Sequence, residues 1–276
     1  MRRAERTLAL RHALALGLLQ GPTELLPVSS SAHTSLLAWL AGWPYAELDG
    51  ERRKAFEVAL HAGAGLALAI DMRRELALAV GRLDRPRTGA LALALAPPAL
   101  AGYTLQAPIE RRLGGPRSIA AGLAGGALAM ALADLRAGGG GRAQRHCTDA
   151  HASDGLALGL AQACALVPGV SRNGATLAAA RARGFSRAEA QRLSWLPALP
   201  VLLGAGLLKG RRLARDGGPR GIRGAAALGA GAAFLSTLAS ARLLRRGAVA
   251  ERSLMPYALY RCALAALVLG RLRRPQ

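Results

Sequence analysis

One stretch of this chain is written twice. LALGLLQGPTELLPVSSSAHT (Leu14 to Thr34) returns without a gap as LALGLAQACALVPGVSRNGAT (Leu156 to Thr176). Leu14 matches Leu156, Gly17 matches Gly159, Gln20 matches Gln162, Val28 matches Val170, Ser29 matches Ser171 and Thr34 matches Thr176. Glu24 and His33 stand only in the first copy, and Arg172 only in the second. Repeated apolar segments, each interrupted by Pro or Gly and each bringing different polar groups, are the pattern of a membrane protein whose site lies between two internal repeats.

Length alone would also allow two soluble domains in 276 residues. The apolar residues, 52% of the chain, argue otherwise because they gather into Ala/Leu/Gly stretches with arginines between them. Such stretches run about 17 to 23 residues, the helical length that crosses a hydrocarbon core. They fall at 55–71, 88–106, 117–135, 192–209, 222–244 and 254–271. The two repeat copies are different: each is a pair of shorter apolar pieces broken at Pro27 or at Pro168-Gly169, the mark of a re-entrant hairpin.

The expected fold is therefore an all-α integral membrane protein, with six transmembrane helices plus two re-entrant helical hairpins in inverted-topology repeats. One polytopic domain covers 1–276. Its first repeat is 1–135 with a hairpin at 8–42, its second is 153–276 with a hairpin at 153–183, and 136–152 connects them. Three spans per half is an odd number, so the second hairpin enters from the opposite face. The basic, then apolar N-terminus runs straight into Gln20 and Glu24 and reads as a retained first helix, not a cleaved signal.

The formal charge of +21 comes from 37 Lys and Arg against 16 Asp and Glu. Nucleic acid is disfavoured as partner, because aromatics are only 4% and the basic residues sit in short loops. Anionic membrane lipids, or a lipid substrate carrying phosphate, suit the charge better. Basic stretches at 52–54, 73–87, 181–192, 209–223 and 242–252 flank spans on both sides, so charge does not set the orientation. Cys147, Cys164 and Cys262 form no CxxC pair. His146, Cys147 and His151 cluster with Asp149 and Asp154, but without standard ligand spacing, and read as a solvated loop.

The polar residues inside apolar segments carry the chemistry. Gln20 and Glu24 are one helical turn apart and share a face, and a carboxylate in an intramembrane helix is a functional group by default. Ser29, Ser30 and Ser31 follow Pro27, and then comes His33. The hydroxyls could cap the next helix, or serve with the imidazole in nucleophile activation and proton transfer. In PGVSRNGAT, Ser171, Arg172, Asn173 and Thr176 open a helix whose free N–H groups, with a guanidinium beside them, make a phosphate seat. No GK[ST] follows, so this is not a Walker loop. Glu57 and His61, one turn apart, are secondary candidates for the same cavity or its mouth. Arg261 is a third, either binding phosphate or pairing with a carboxylate such as Glu57.

QGPTELLPVSSSAH and PGVSRNGAT resemble the two signature motifs of the bacitracin-resistance undecaprenyl-diphosphate phosphatase family. FEVALHAGAGLALAI, SWLPALPVLLGAGLL and LMPYALYRCALAAL resemble it too, so the likeness runs in order through the chain. It implies a multi-pass protein of the bacterial inner (cytoplasmic) membrane that converts undecaprenyl diphosphate to undecaprenyl phosphate, recycling the carrier for peptidoglycan synthesis. Residue by residue, it implies Gln20 and Glu24 as a site for Mg²⁺ or Ca²⁺ or as orienting a nucleophile, Ser30 or His33 as nucleophile, His33 otherwise as proton shuttle, and Ser29, Ser171, Arg172, Asn173 and Thr176 on the phosphates. Two departures stand out: Gln20 replaces a frequent glutamate, removing a charge from any hard-cation site, and Asn173 replaces a serine. The alternative is a polyprenyl-phosphate transporter or flippase without hydrolysis, because inverted repeats with broken helices are also transporter anatomy. The other large lipid-phosphatase superfamily is excluded, since no histidine follows Arg172 at the needed spacing. Gly122 to Gly126 suits a monomer's interior and a homodimer interface equally.

Overall fold

A computed structural model describes residues 8–81, 83–138, 145–215, 221–246 and 252–273. The start of the expected first helix before residue 8, and parts of the basic stretches at 73–87, 209–223 and 242–252, lie outside those ranges. Among the described residues the protein is helical: α1 (Leu10–Leu25), α2 (Ser30–Leu40), α3 (Gly50–Asp71), α4 (Arg73–Gly81), α5 (Arg85–Leu113), α6 (Pro116–Gly138), α7 (Ala152–Cys164), α8 (Arg172–Ala182), α9 (Arg187–Arg215), α10 (Arg223–Arg246) and α11 (Met255–Arg273).

Three of these are long and apolar enough to cross a membrane: α5, α6 and Arg223–Leu244 of α10. A fourth crossing is available if α3 and α4 form one span with a 67° bend between them. The expected span at 88–106 is the core of a longer helix, α5, of 29 residues with Pro97, Pro98 and Pro108 inside it. The sequence stretch at 192–209 is helical within α9, and that at 254–271 is helical from Met255 on, within α11.

Each repeat copy is a pair of short helices, α1 with α2 and α7 with α8. Pro22 inside α1 and Pro98 inside α5 each leave a carbonyl without an intrahelical donor. Side chains from the other half of the chain satisfy those carbonyls. Pro22 frees the carbonyl of Leu18, which accepts from Ser236 Oγ of α10 at 2.5 Å. Pro98 frees the carbonyl of Ala94, which accepts from Gln162 Nε2 of α7 at 3.0 Å. The backbones approach closely there: a Cβ on Gly17 or Gly21 would overlap α10, and one on Gly155 or Gly159 would overlap α5. So α1 packs on α10 and α7 on α5.

The ends of the hairpins are held differently. Beside the first lies an apolar cluster of Leu8, Leu16, Tyr45, Leu48, Phe56 and Ile222, with His12 stacked on Trp43. Beside the second lie two buried aspartates. Asp154 accepts from Arg145 at 2.7 Å and from Arg183 at 2.6 Å. Asp134 accepts from Arg181 and Arg187 and from the backbone of Leu254. In the described part of the connecting segment His146, Thr148, Asp149 and His151 are exposed, as the sequence suggested, while the segment is anchored where Cys147 N–H donates to Glu189 and where the neighbouring Asp154 of α7 is buried. His146 and His151 cap short helices there, and no metal-holding cluster of three His, Cys, Asp or Glu occurs among the described residues.

Candidate active site

The two helix breaks meet. At each, the chain turns through a serine with positive φ, Ser29 at 78° and Ser171 at 68°, the same position of the repeat in both copies. These are the two non-glycine residues with positive φ among the described ones. Such a conformation costs of order 1 to 3 kcal/mol and persists where surrounding contacts over-determine it, commonly at functional sites. Its effect is to start α2 at Ser30 and α8 at Arg172 with both N-termini at one cavity of about 220 Å³. Two helix N-termini place free N–H groups and partial positive charge beside it.

Glu24, 6% exposed, is the centre of the cavity's polar wall. Its Oε1 accepts from Arg172 Nη2 at 2.7 Å, joining the two copies. Its Oε2 accepts from Ser30 Oγ at 2.7 Å and from Gln20 Nε2 at 3.0 Å. The carboxylate thus holds a cation from one copy and a hydroxyl from the other, which is what activating an oxygen nucleophile next to a phosphate requires. Arg172 also lies over the Trp195 ring, 5.9 Å from its centroid.

The remaining second-copy candidates divide by exposure to the cavity. Ser171 lines it and caps α8 by accepting from Gly174 N–H at 3.2 Å. Asn173 lines it too, but both ends of its amide are engaged, Nδ2 on the carbonyl of Leu25 and Oδ1 by Ser194. Thr176 is fully buried. Its hydroxyl bonds Ser194 and the carbonyls of Arg172 and Asn173, so it braces the first turn of α8 from behind. Ser29 also lines the cavity, its Oγ 3.4 Å from that of Ser31.

His33 is held through both ring nitrogens. Its Nδ1 is 2.8 Å from the carbonyl of Ser29, and a carbonyl only accepts, so Nδ1 carries the proton. Nε2 then accepts from the Tyr260 hydroxyl at 2.7 Å. Both ring nitrogens are used, and the ring is not among the cavity-lining residues. His61 does line the cavity: Nδ1–H donates to the carbonyl of Glu57, leaving Nε2 4.0 Å from Glu24 Oε2. Glu57 is turned away from it, accepting from Tyr45 at 2.8 Å. The expected Arg261–Glu57 pair does not form; Arg261 is fully buried and donates to backbone carbonyls instead.

Sequence reasoning passed over Gln162. It lines the cavity at 3% exposure, its Nε2 is fixed on Ala94, and its Oε1 has no hydrogen-bond partner. The signal was present, because Gln162 is the second-copy match of Gln20. Gln20 Oε1 is likewise buried without a partner. Gln20 turns its Nε2 to Glu24 and does not line the cavity, so of the two expected hard-cation ligands Glu24 alone presents an oxygen there; such a cation takes six or more oxygens, and the amide would have to turn over and substrate phosphate supply others.

Comparison with known proteins bears on this geometry. The family described as bacitracin resistance protein BacA matches residues 13–267. The chain is 41% identical over 270 residues to an undecaprenyl-diphosphatase of Geobacter metallireducens, covering 94% of this chain and 96% of that one. It is 39% identical over 271 residues to that of Geobacter sulfurreducens, covering 94% and 97%. To that of Alcanivorax borkumensis it is 36% identical over 274 residues, covering 93% and 97%.

Proposed function

The chain belongs to the bacitracin resistance protein BacA family, and from that premise we infer that it is a membrane phosphatase that hydrolyses undecaprenyl diphosphate to undecaprenyl phosphate and inorganic phosphate. That reaction returns the lipid carrier to cell-wall synthesis and underlies the resistance for which the family is named. The observation that carries the reading is Glu24 bonded at once to Arg172 of the other copy and to Ser30 of its own.

Phosphoryl transfer asks mainly for positioning and charge neutralisation. Arg172, with the N-terminal amides of α8 and the hydroxyl of Ser171, holds the terminal phosphate. Ser30 Oγ attacks its phosphorus while Glu24 takes the hydroxyl proton. An Oγ–P bond forms as the bond to the bridging oxygen breaks, and the lipid leaves as the monophosphate. Water then cleaves the seryl phosphate and releases inorganic phosphate. Mg²⁺ or Ca²⁺ held by Glu24 and Gln20 would neutralise phosphate charge. His33 supports the site through Ser29, and Thr176 supports it from behind α8.

The finer topology is six spans with two re-entrant hairpins, entering from opposite faces of the bacterial inner membrane in inverted repeats. The exchange of contacts supports it, with α1 on α10 and α7 on α5. Carriage of the lipid without hydrolysis is less well supported, because a carrier has little use for a serine on a carboxylate. The test is phosphate release from undecaprenyl diphosphate by detergent-purified protein, with and without chelator. Metal-dependent release that Glu24→Ala and Ser30→Ala abolish supports the phosphatase; a folded wild type that binds the lipid and releases nothing would sink it.

A further inference from the structure

Arg261 is the largest fully buried side chain among the described residues. Its Nη2 donates to the carbonyls of Gly169 at 2.8 Å and Val170 at 2.9 Å, with that of Gly122 at 3.4 Å. Its Nη1 reaches the carbonyl of Pro27 at 3.3 Å and the sulfur of Met130 at 3.5 Å. Its Nε has no partner, and no described carboxylate pairs with it. A buried cation held by carbonyl dipoles alone is costly, so its place calls for an explanation other than stability.

The carbonyls it holds identify one. Pro27 lies two residues before Ser29, and Val170 immediately before Ser171. A single guanidinium from α11 therefore grips both helix breaks just upstream of the two positive-φ serines. The packing makes room for it: a Cβ on Gly126 would overlap Nη2, and one on Gly174 would stand 2.7 Å from Nη1. We propose that Arg261 is a positioning residue of the phosphatase: by clamping the carbonyls of Pro27, Gly169 and Val170 it sets Ser30 of the first copy in register with Arg172 of the second. It touches neither substrate nor the reacting atoms. This rests on the phosphatase reading, and wild-type turnover tests that reading separately.

The experiment compares Arg261→Met, Arg261→Lys and Gly126→Ala in detergent, each with its melting temperature and with kcat and KM for undecaprenyl diphosphate. Misplacing a catalytic group by about 1 Å costs on the order of 100-fold. The expected result is a kcat about 100-fold lower for Arg261→Met at a KM within about threefold of wild type, with Arg261→Lys between the two. Gly126→Ala keeps the cation but crowds both Nη2 and the Val170 carbonyl it holds, and should lower kcat at near-normal KM even if Arg261→Met fails to fold. Folded Arg261→Met or Gly126→Ala with kcat within about threefold of wild type would overturn the proposal. So would a loss that tracks only the folded fraction.

Discussion

The two hairpins share a sequence and a shape, yet they are held in place by different physics. At its open end the first rests on packing, with Tyr45 and Phe56 fully buried and edge to face. The second rests on charge, with Asp154 and Asp134 each bound by two arginines. Their tips diverge as well: carboxylate and hydroxyl in one, guanidinium in the other. What the copies keep in common is backbone, above all the serine at positive φ. The comparison teaches that the repeat preserves where the chain turns, while the side chains on either side of the turn are free to specialise.

The sharpest way to break the comparison is to make the copies alike. Arg172→Ser gives the second copy the first one's residue, and Glu24→Leu does the reverse. Each should lower phosphate release by about 1000-fold, the scale of losing a donor or acceptor aimed at developing charge; activity within tenfold of wild type would show that the asymmetry is ornamental. Next in size are the hairpin ends. Asp134→Asn breaks a buried ion network and should destabilise by about 3 to 5 kcal/mol, and Phe56→Ala by a similar 3 to 5 kcal/mol. Melting curves in detergent would separate the two, since added salt should leave the Phe56→Ala loss unchanged.

A smaller effect should appear on acidification, and at one end only. Burial alone would raise the Glu189 carboxyl, but hydrogen bonds from Cys147 and the charge of Arg192 hold it below its ordinary value. Asp149 is lowered by bonds from the His146 backbone and the Thr148 hydroxyl. A carboxylate depressed by folding contributes stability that is complete above its unfolded pKa and is lost as pH falls through the folded one. Amide-exchange protection around 145–155 should therefore fall as pH drops below about 4, while protection around 43–56 changes little; an equal loss at both ends, or none at either, would count against the contrast. Smallest is Arg183→Ala, expected to cost under about 1 kcal/mol because this partly exposed arginine leaves Arg145 still on Asp154.

The repeat, the breaks at Pro27 and Pro168-Gly169, and the shared face of Gln20 and Glu24 were all legible in the sequence, because each is a local property of spacing or of proline. What the sequence did not disclose are bonds across the fold. Nothing near His33 announces that Tyr260 will occupy its second nitrogen, and nothing near Glu57 announces Tyr45. Asp134 sat at the end of an apolar stretch with its arginine partners about 50 residues away. Gln162 was readable and was missed, since its value lies in an oxygen left free once Pro98 has claimed the amide nitrogen through Ala94. The bend after Asp71 and the full length of α5 went unseen because helix continues through polar residues, 73–75 and 110–112, that hydropathy reads as the end of a span.

The slot around Arg261 also constrains the order in which this sequence can change. Any side chain at Gly126 collides with the guanidinium, so that glycine is frozen while the arginine stays. A smaller, uncharged residue at 261 removes that collision but not the second one, because a Cβ at 126 would still stand 2.7 Å from the carbonyl oxygen of Val170. Position 126 is therefore held to glycine twice over, by a side chain and by the backbone of the second helix break, so a lineage that loses the arginine keeps the glycine unless that break also moves.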